Sequence, residues 1–253
     1  MDTKPYLLLT GASSQMGSAL AQQLGASWAI ILNGRDKGRL QSLLDSLPVE
    51  QPHVVWTYDL CSTDTMQNDF ERFLHTHQIT VGAFVHCAGT VPVQAARTID
   101  AQAAGRVFSV NTVSAALLVA LLMRKSINRV CLRHVIFISA ILADFGTRGQ
   151  SLYCASKAAL DALARNFAVE LAPNVRVNSI HLGGINSPSS AHILNNVERK
   201  TAVEREYPLG LGTNADVAAG VRFLLSEDAR WITGQSLVMD GGRSVYFSFG
   251  EQT

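Results

Sequence analysis

The sequence has almost no net charge to offer a partner. Its 21 Lys and Arg against 20 Asp and Glu leave +1, so no basic field gathers nucleic acid or an anionic membrane surface. Paired cysteines are missing too. Cys61, Cys87, Cys131 and Cys154 have neither CxxC nor metal-ligand spacing. That removes a metal centre and a disulfide framework, and leaves ordinary free thiols of a reducing, cytoplasmic setting. Long apolar runs are absent: the longest, "AALLVALLM" at 115–123, is followed by Arg124 and Lys125. A bilayer span needs about 20 such residues, so this run reads as a buried or subunit-facing helix. The early run "YLLL" is too short for a signal peptide. Low-complexity tracts, internal repeats and linkers are all lacking.

What is present is a chain of 253 residues, 47% hydrophobic and 16% charged, enough for one large, well-packed domain spanning 1–253. Apolar runs alternate with helical patterns almost throughout. Strands are expected at 6–10, 28–33, 53–60, 82–89, 130–139, 175–182 and 235–240. Helices are expected at 16–24, 37–47, 65–77, 101–126, 153–171 and 216–225. Strands apolar on both faces, separated by helices, imply a parallel sheet covered on both sides. With right-handed crossovers this is an α/β, Rossmann-type doubly wound fold of about seven parallel strands. The stretch 186–212 breaks the alternation with Pro188 and Pro208 and reads as a lid over a substrate site.

In such a sheet, ligands bind beyond the carboxyl ends of the strands. "TGASSQMG", Thr10 to Gly17, lies there and opens a helix. Gly11 and Gly17 allow a tight turn, and Ser13, Ser14, Gln15 and Met16 bring the helix N-terminus to a pyrophosphate. A plain strand–helix turn has the same look. The second strand ends in Gly34 and Arg35, with no acid at the position that binds ribose hydroxyls. An arginine there suits a 2′-phosphate; alone it reads equally as a solvated helix-start residue. Asp59, followed by Leu60, is placed to meet an adenine amine, or is a turn aspartate. In "YCASK", Tyr153 and Lys157 are four apart and share a helix face. A nearby ammonium would lower the phenol towards use as an acid at neutral pH. Such pairs also occur by chance; position after the fifth strand, behind a phosphate loop, changes that balance.

These matches, in this order, resemble the short-chain dehydrogenase/reductase family from the first strand to "MDGG" at 239–242. The resemblance implies a nicotinamide dinucleotide as cofactor. It assigns Thr10, Gly11 and Gly17 to the cofactor loop and Asp59 to the adenine. Cys87, Ala88 and Gly89 resemble the family's Asn-Asn-Ala-Gly turn. Asn111 matches an asparagine that anchors a water-linked proton relay, and Tyr153 and Lys157 match the catalytic pair. "HLGGINS" resembles the segment that meets the nicotinamide carboxamide, placing Gly183, Ile185 and Ser187 there. Five positions depart from the pattern: Gln15 for the middle loop glycine, His86 and Cys87 for two asparagines, Leu182 for a proline, and Ala140 for the serine thirteen positions before the tyrosine. Ser139 lies one position further back. Either Ser139 reaches the site because the strand has ended, or Ala140 occupies it and the oxygen relies on Tyr153 and a water.

The expected function is NADPH-dependent reduction of a ketone to a secondary alcohol. Within the family the chain is most similar to 3-oxoacyl-acyl-carrier-protein reductases, so a 3-oxoacyl thioester, free or carrier-linked, is favoured. Alternatives are a nucleotide-sugar or polyketide-type ketoreductase, or a weakly active cofactor-binding protein. The resemblance also implies a homodimer or homotetramer, formed by the helices around 115–123 and after Tyr153.

Overall fold

The computed structural model describes residues 5–186, 201 and 203–246. Seven strands form one parallel sheet: β1 (Tyr6–Thr10), β2 (Ile30–Gly34), β3 (Val54–Thr57), β4 (Val81–His86), β5 (His134–Ala140), β6 (Arg176–Leu182) and β7 (Ser236–Met239). Their order is β3-β2-β1-β4-β5-β6-β7. The winding therefore reverses between β1 and β4, and the crevice opens at their carboxyl ends.

Helices cover both faces, as the run of two-sided apolar strands requires. On one side α1 (Gln15–Leu24), α2 (Lys37–Asp45) and α8 (Asn214–Leu225) bury Leu20, Leu40, Val217 and Val221 against Leu9, Leu32 and Ile138. On the other lie α3 (Thr63–His77), α4 (Ala101–Phe108), α5 (Ser114–Leu122), α6 (Lys125–Asn128) and α7 (Ser151–Glu170). There Phe70, Leu118, Leu121 and Leu160 pack on Leu8, Phe84 and Phe137. Fully burying each such side chain contributes roughly 1.5–3 kcal/mol.

Strand starts differ from the sequence reading for local reasons. β2 begins at Ile30 because the Trp28 N–H still bonds the Leu24 carbonyl at the end of α1. β5 begins at His134 because Arg129 and Val130 have φ of 51° and 59°, a left-handed turn no strand contains. The expected helix 101–126 is three pieces: Ser109–Val113 forms a π-turn between α4 and α5, and Arg124, extended at φ −70°, ψ 116°, separates α5 from α6. The stretch Ala101–Leu122 has the length and hydropathy of a membrane span. Its Leu118, Val119, Leu121 and Leu122 nevertheless lie in the core under the sheet. Part of the expected lid, 187–200 and residue 202, lies outside the described residues, and so does Ser187.

Candidate active site

At the β1/β4 switch point a cleft of ≈ 1080 Å³ opens. Its floor is made by two turns pressed together. Gly11 leaves β1 at φ +69°, and a Cβ there would stand 2.8 Å from Ala88 Cα. Only glycine holds that conformation at so close an approach. Thr10 ties the same two strand ends: its Oγ1 pairs with His86 Nδ1 at 2.9 Å and accepts the Ala88 N–H at 3.3 Å. α1 then starts with Ser14 as N-cap, its hydroxyl accepting the Gly17 N–H at 3.0 Å.

Gly11, Ser13, Ser14 and Met16 line the cleft, as do Gly34, Arg35, Asp59 and Leu60. Gln15 and Gly17 do not. Gln15 is exposed on the first turn of α1, so its side chain costs the loop no space. Gly17 works from beneath, where a Cβ would fall 2.1 Å from the Gly11 carbonyl oxygen. Asp36, directly after Arg35, is occupied as the N-cap of α2, accepting the Arg39 N–H at 3.0 Å. Asp59 accepts the Cys61 N–H at 3.0 Å and so holds its own turn as well as facing the cleft.

Further along lie Cys87, Ala88, Gly89, Ser139, Ala140, Tyr153, Lys157, Gly183 and Ile185. α7 places Tyr153 and Lys157 one turn apart. Lys157 Nζ donates to the Ile138 carbonyl at 2.7 Å and sits 5.8 Å from the Tyr153 ring centroid. Gly89 is the close neighbour of both the Lys157 ammonium and the Asn111 carboxamide: its Cβ position lies 3.6 Å from Nζ and 3.7 Å from Oδ1. Asn111 itself lies behind the cleft wall, fully buried in the π-turn. Its Oδ1 accepts the Thr90 N–H at 2.8 Å, and its Nδ2 donates to Thr90 O at 3.0 Å and Ser156 Oγ at 2.9 Å.

A family model described as Enoyl-(Acyl carrier protein) reductase matches residues 11–244. A 3-oxoacyl-acyl-carrier-protein reductase of Rickettsia prowazekii is 31% identical over 240 residues, covering 93% of this chain and 95% of that protein. The chain belongs to the short-chain dehydrogenase/reductase family. An L-xylulose reductase of Caenorhabditis elegans is 29% identical, with 96% of each chain covered. A short-chain type dehydrogenase/reductase from Mycobacterium ulcerans superposes with a TM-score of 0.85 at 27% identity, over 96% of this chain and 90% of that one. A 4-hydroxyisoleucine dehydrogenase complexed with NADH reaches a TM-score of 0.89 at 22% identity, over 96% and 100%; it shares the fold. The protein is accordingly an NAD(P)-dependent oxidoreductase of this family, acting between CH–OH and C=O. Its residues fit a dinucleotide: Gly11, Ser13, Ser14 and the N-terminus of α1 line one end of the cleft, and Tyr153 and Lys157 line the other.

Electrostatics set the catalytic pair apart. Burial pushes Tyr153 up to about 12, with Cys154, Asp161 and Cys87 adding to the rise. Burial pushes Lys157 down to about 8, against the raising influence of Cys87 and Asp161. In the folded chain burial leaves the phenol holding its proton, as an acid must before it donates. Burial also pushes the Cys87 thiol up to about 11, so it stands in the cleft as a neutral SH.

Several wall residues carried no signal in the sequence. Val91, Val93, Val107, Val110, Ile141 and Leu142 give the substrate side an apolar lining, with Gln150, Arg106 and Tyr207 among them. The Tyr207 hydroxyl accepts the Gly184 N–H at 2.9 Å. These residues come from the β4–β5, β5–β6 and β6–β7 connections, and only the fold gathers them.

Proposed function

We propose that this protein reduces a ketone to a secondary alcohol with NADPH, and that a 3-oxoacyl thioester, free or carrier-linked, is the favoured substrate. The observation that carries the reading is the Tyr153–Lys157 pair, fixed at the cleft wall by the Lys157–Ile138 bond and sharing one cleft with the Gly11–Ser14 turn. The nicotinamide supplies the hydride. Tyr153 gives its proton to the substrate oxygen as negative charge develops there. Lys157 holds the nicotinamide ribose and attracts the phenolate left behind. Asn111 keeps the turn after β4 at its distance from α7 and anchors, beside Lys157, the water that returns a proton to Tyr153.

Arg35 supports NADPH: it lines the cleft beside Gly34 at the end of β2, free to meet a 2′-phosphate, while the neighbouring acid, Asp36, caps α2. The apolar wall of Val91, Val107, Ile141 and Leu142 supports an acyl chain, and the Rickettsia relative supports the acyl-carrier class. The surface apolar groove formed by exposed Val113 of the π-turn with half-buried Ala116 and Leu117 of α5 and Leu163 of α7 supports a two-fold assembly into a homodimer or homotetramer. Oxidation of NADPH by a panel of 3-oxoacyl thioesters, nucleotide sugars and cyclic ketones tests the substrate class. A second reading, a cofactor-binding protein of low turnover, rests on Ala140, which brings no hydroxyl to the substrate oxygen. NADPH binding without NADPH oxidation across the panel would favour it.

A further inference from the structure

Behind the catalytic pair lies a buried polar cluster that the reaction above does not use. His181, on β6, is 4% exposed, and Asp161, on α7, is 3% exposed. His181 Nε2 stands 2.8 Å from Asp161 Oδ2, and its Nδ1 stands 3.2 Å from Asp144 Oδ2. Ser139 Oγ donates to the same Asp161 oxygen at 3.0 Å. Nε2 makes no aligned hydrogen bond there, so the pairing is one of charge: a carboxylate beside each ring nitrogen favours the imidazolium over the neutral ring.

Asp161 is one turn from Lys157 and two from Tyr153 on one face of α7. Its charge acts on both of them. Among the described residues, the neighbouring strands bring no titratable group to His181 at its register: β5 presents Ser139 and β7 presents Val238. The groups that face the ring are therefore Asp161 from α7 and Asp144 from the connection after β5. Asp144 is largely exposed, so the ring links a buried acid to one at the surface. Asp144 also ends the turn Ile141–Ala143, whose Ile141 and Leu142 line the cleft.

We propose that His181 is a positioning residue for the reaction: clamped between Asp161 and Asp144, its imidazolium offsets the Asp161 charge and so sets the proton affinity of Lys157 and Tyr153. The proposal rests on the assignment of Tyr153 and Lys157 as the proton-handling pair. With His181 protonated, Asp161 is nearly cancelled as seen from Lys157. Without that proton, the full carboxylate charge is felt, and both Lys157 and Tyr153 hold their protons more tightly.

The test is NMR titration of the intact protein, labelled at the histidine rings and lysine side chains, in wild type and in Asp161→Asn, His181→Gln and Asp144→Asn. In wild type the His181 ring is expected to remain doubly protonated at neutral pH, and Asp144→Asn to lower its midpoint. The midpoint of Lys157 should fall by about one pH unit in Asp161→Asn and rise in His181→Gln. Opposite signs are the signature of charge; loosened packing has no reason to produce them. Should His181→Gln fail to fold, Asp144→Asn carries the same reading at the surface, with a smaller rise. Where ketone turnover is found, the kcat–pH profile should shift in the same directions as the Lys157 midpoint. A His181 that titrates at or below its ordinary value, or a Lys157 midpoint that is unmoved or moves one way in all variants, overturns the proposal. The NMR midpoints need no turnover. A protein that shows the shifts but reduces no ketone keeps this inference and loses the proposed reaction; one that reduces ketones without the shifts does the reverse.

Discussion

The Ser139 hydroxyl donates 3.0 Å to the Asp161 carboxylate on α7, while the next residue, Ala140, brings only a methyl group to the cleft. β5 continues through Ala140, so the two side chains leave opposite faces of the strand. In the proposed reaction the substrate oxygen would then have one protein donor, Tyr153, since the Ser139 hydroxyl is given to Asp161. Ala140→Ser should supply a second and raise kcat by up to about 10²-fold. Ser139→Ala should leave kcat within a small factor, but leave Asp161 short of a buried partner and lower stability by roughly 1–3 kcal/mol. Steady-state kinetics and urea unfolding of the two variants check this. Loss of turnover in Ser139→Ala, with no gain in Ala140→Ser, would make Ser139 the working donor.

NADPH should be preferred over NADH. A charge-assisted contact between Arg35 and the 2′-phosphate is worth about 1.5–3 kcal/mol, or roughly tenfold to a hundredfold in affinity. Arg35→Ala should raise KM for NADPH by that factor and leave KM for NADH nearly unchanged. Equal or better kcat/KM with NADH in the wild type would contradict the assignment.

His86 should govern acid sensitivity. It is wholly buried, and burial, followed by the Lys157 charge, pushes it down to about 3. Unfolding frees it to take a proton near its ordinary value of about 6.5. Its contribution is therefore complete above about 6.5 and is lost as pH falls towards 3, at up to about 1.4 kcal/mol per pH unit. His181 has the opposite sense: its raised value stabilises the fold at low pH, and that contribution fades as pH rises through it. Thermal unfolding between pH 7 and 4 should show a steep loss in wild type and a shallower one in His86→Asn. An unchanged slope in the variant would place the acid sensitivity elsewhere.

Leu163 should belong to a subunit contact. It sits with Val113, Ala116 and Leu117 along the surface groove between α5 and α7. Leu163→Arg would bury a charge in a paired groove and should release a smaller species in light scattering. A wild type already at monomer mass at micromolar concentration would rule the assembly out.

The sheet and part of the cleft lining were readable in the sequence because each rests on local pattern. Two-sided apolar runs such as "YLLL" name a parallel strand. A glycine-serine turn before a helix names a phosphate loop, and a four-residue spacing puts Tyr153 and Lys157 on one face. What stayed hidden depends on contacts across the sheet. Asp161 and His181 are twenty positions apart and meet only because β6 runs beneath α7. The strand expected from residue 130 was misplaced by a left-handed turn at Arg129 and Val130, for which neither side chain gives a cue. Burial, which raises Tyr153, is invisible in a sequence. The substrate wall, drawn from separate connections, had no motif at all.

The central claim is that Tyr153 delivers the proton to a ketone as the hydride arrives. Tyr153→Phe keeps the ring and removes the hydroxyl alone. Steady-state NADPH oxidation with a 3-oxoacyl thioester measures the consequence, with NADPH affinity followed in parallel by fluorescence titration. The expected result is a kcat lower by about 10²–10⁴-fold with NADPH binding within a small factor of wild type. A Tyr153→Phe enzyme that turns over within a factor of a few of wild type would contradict it.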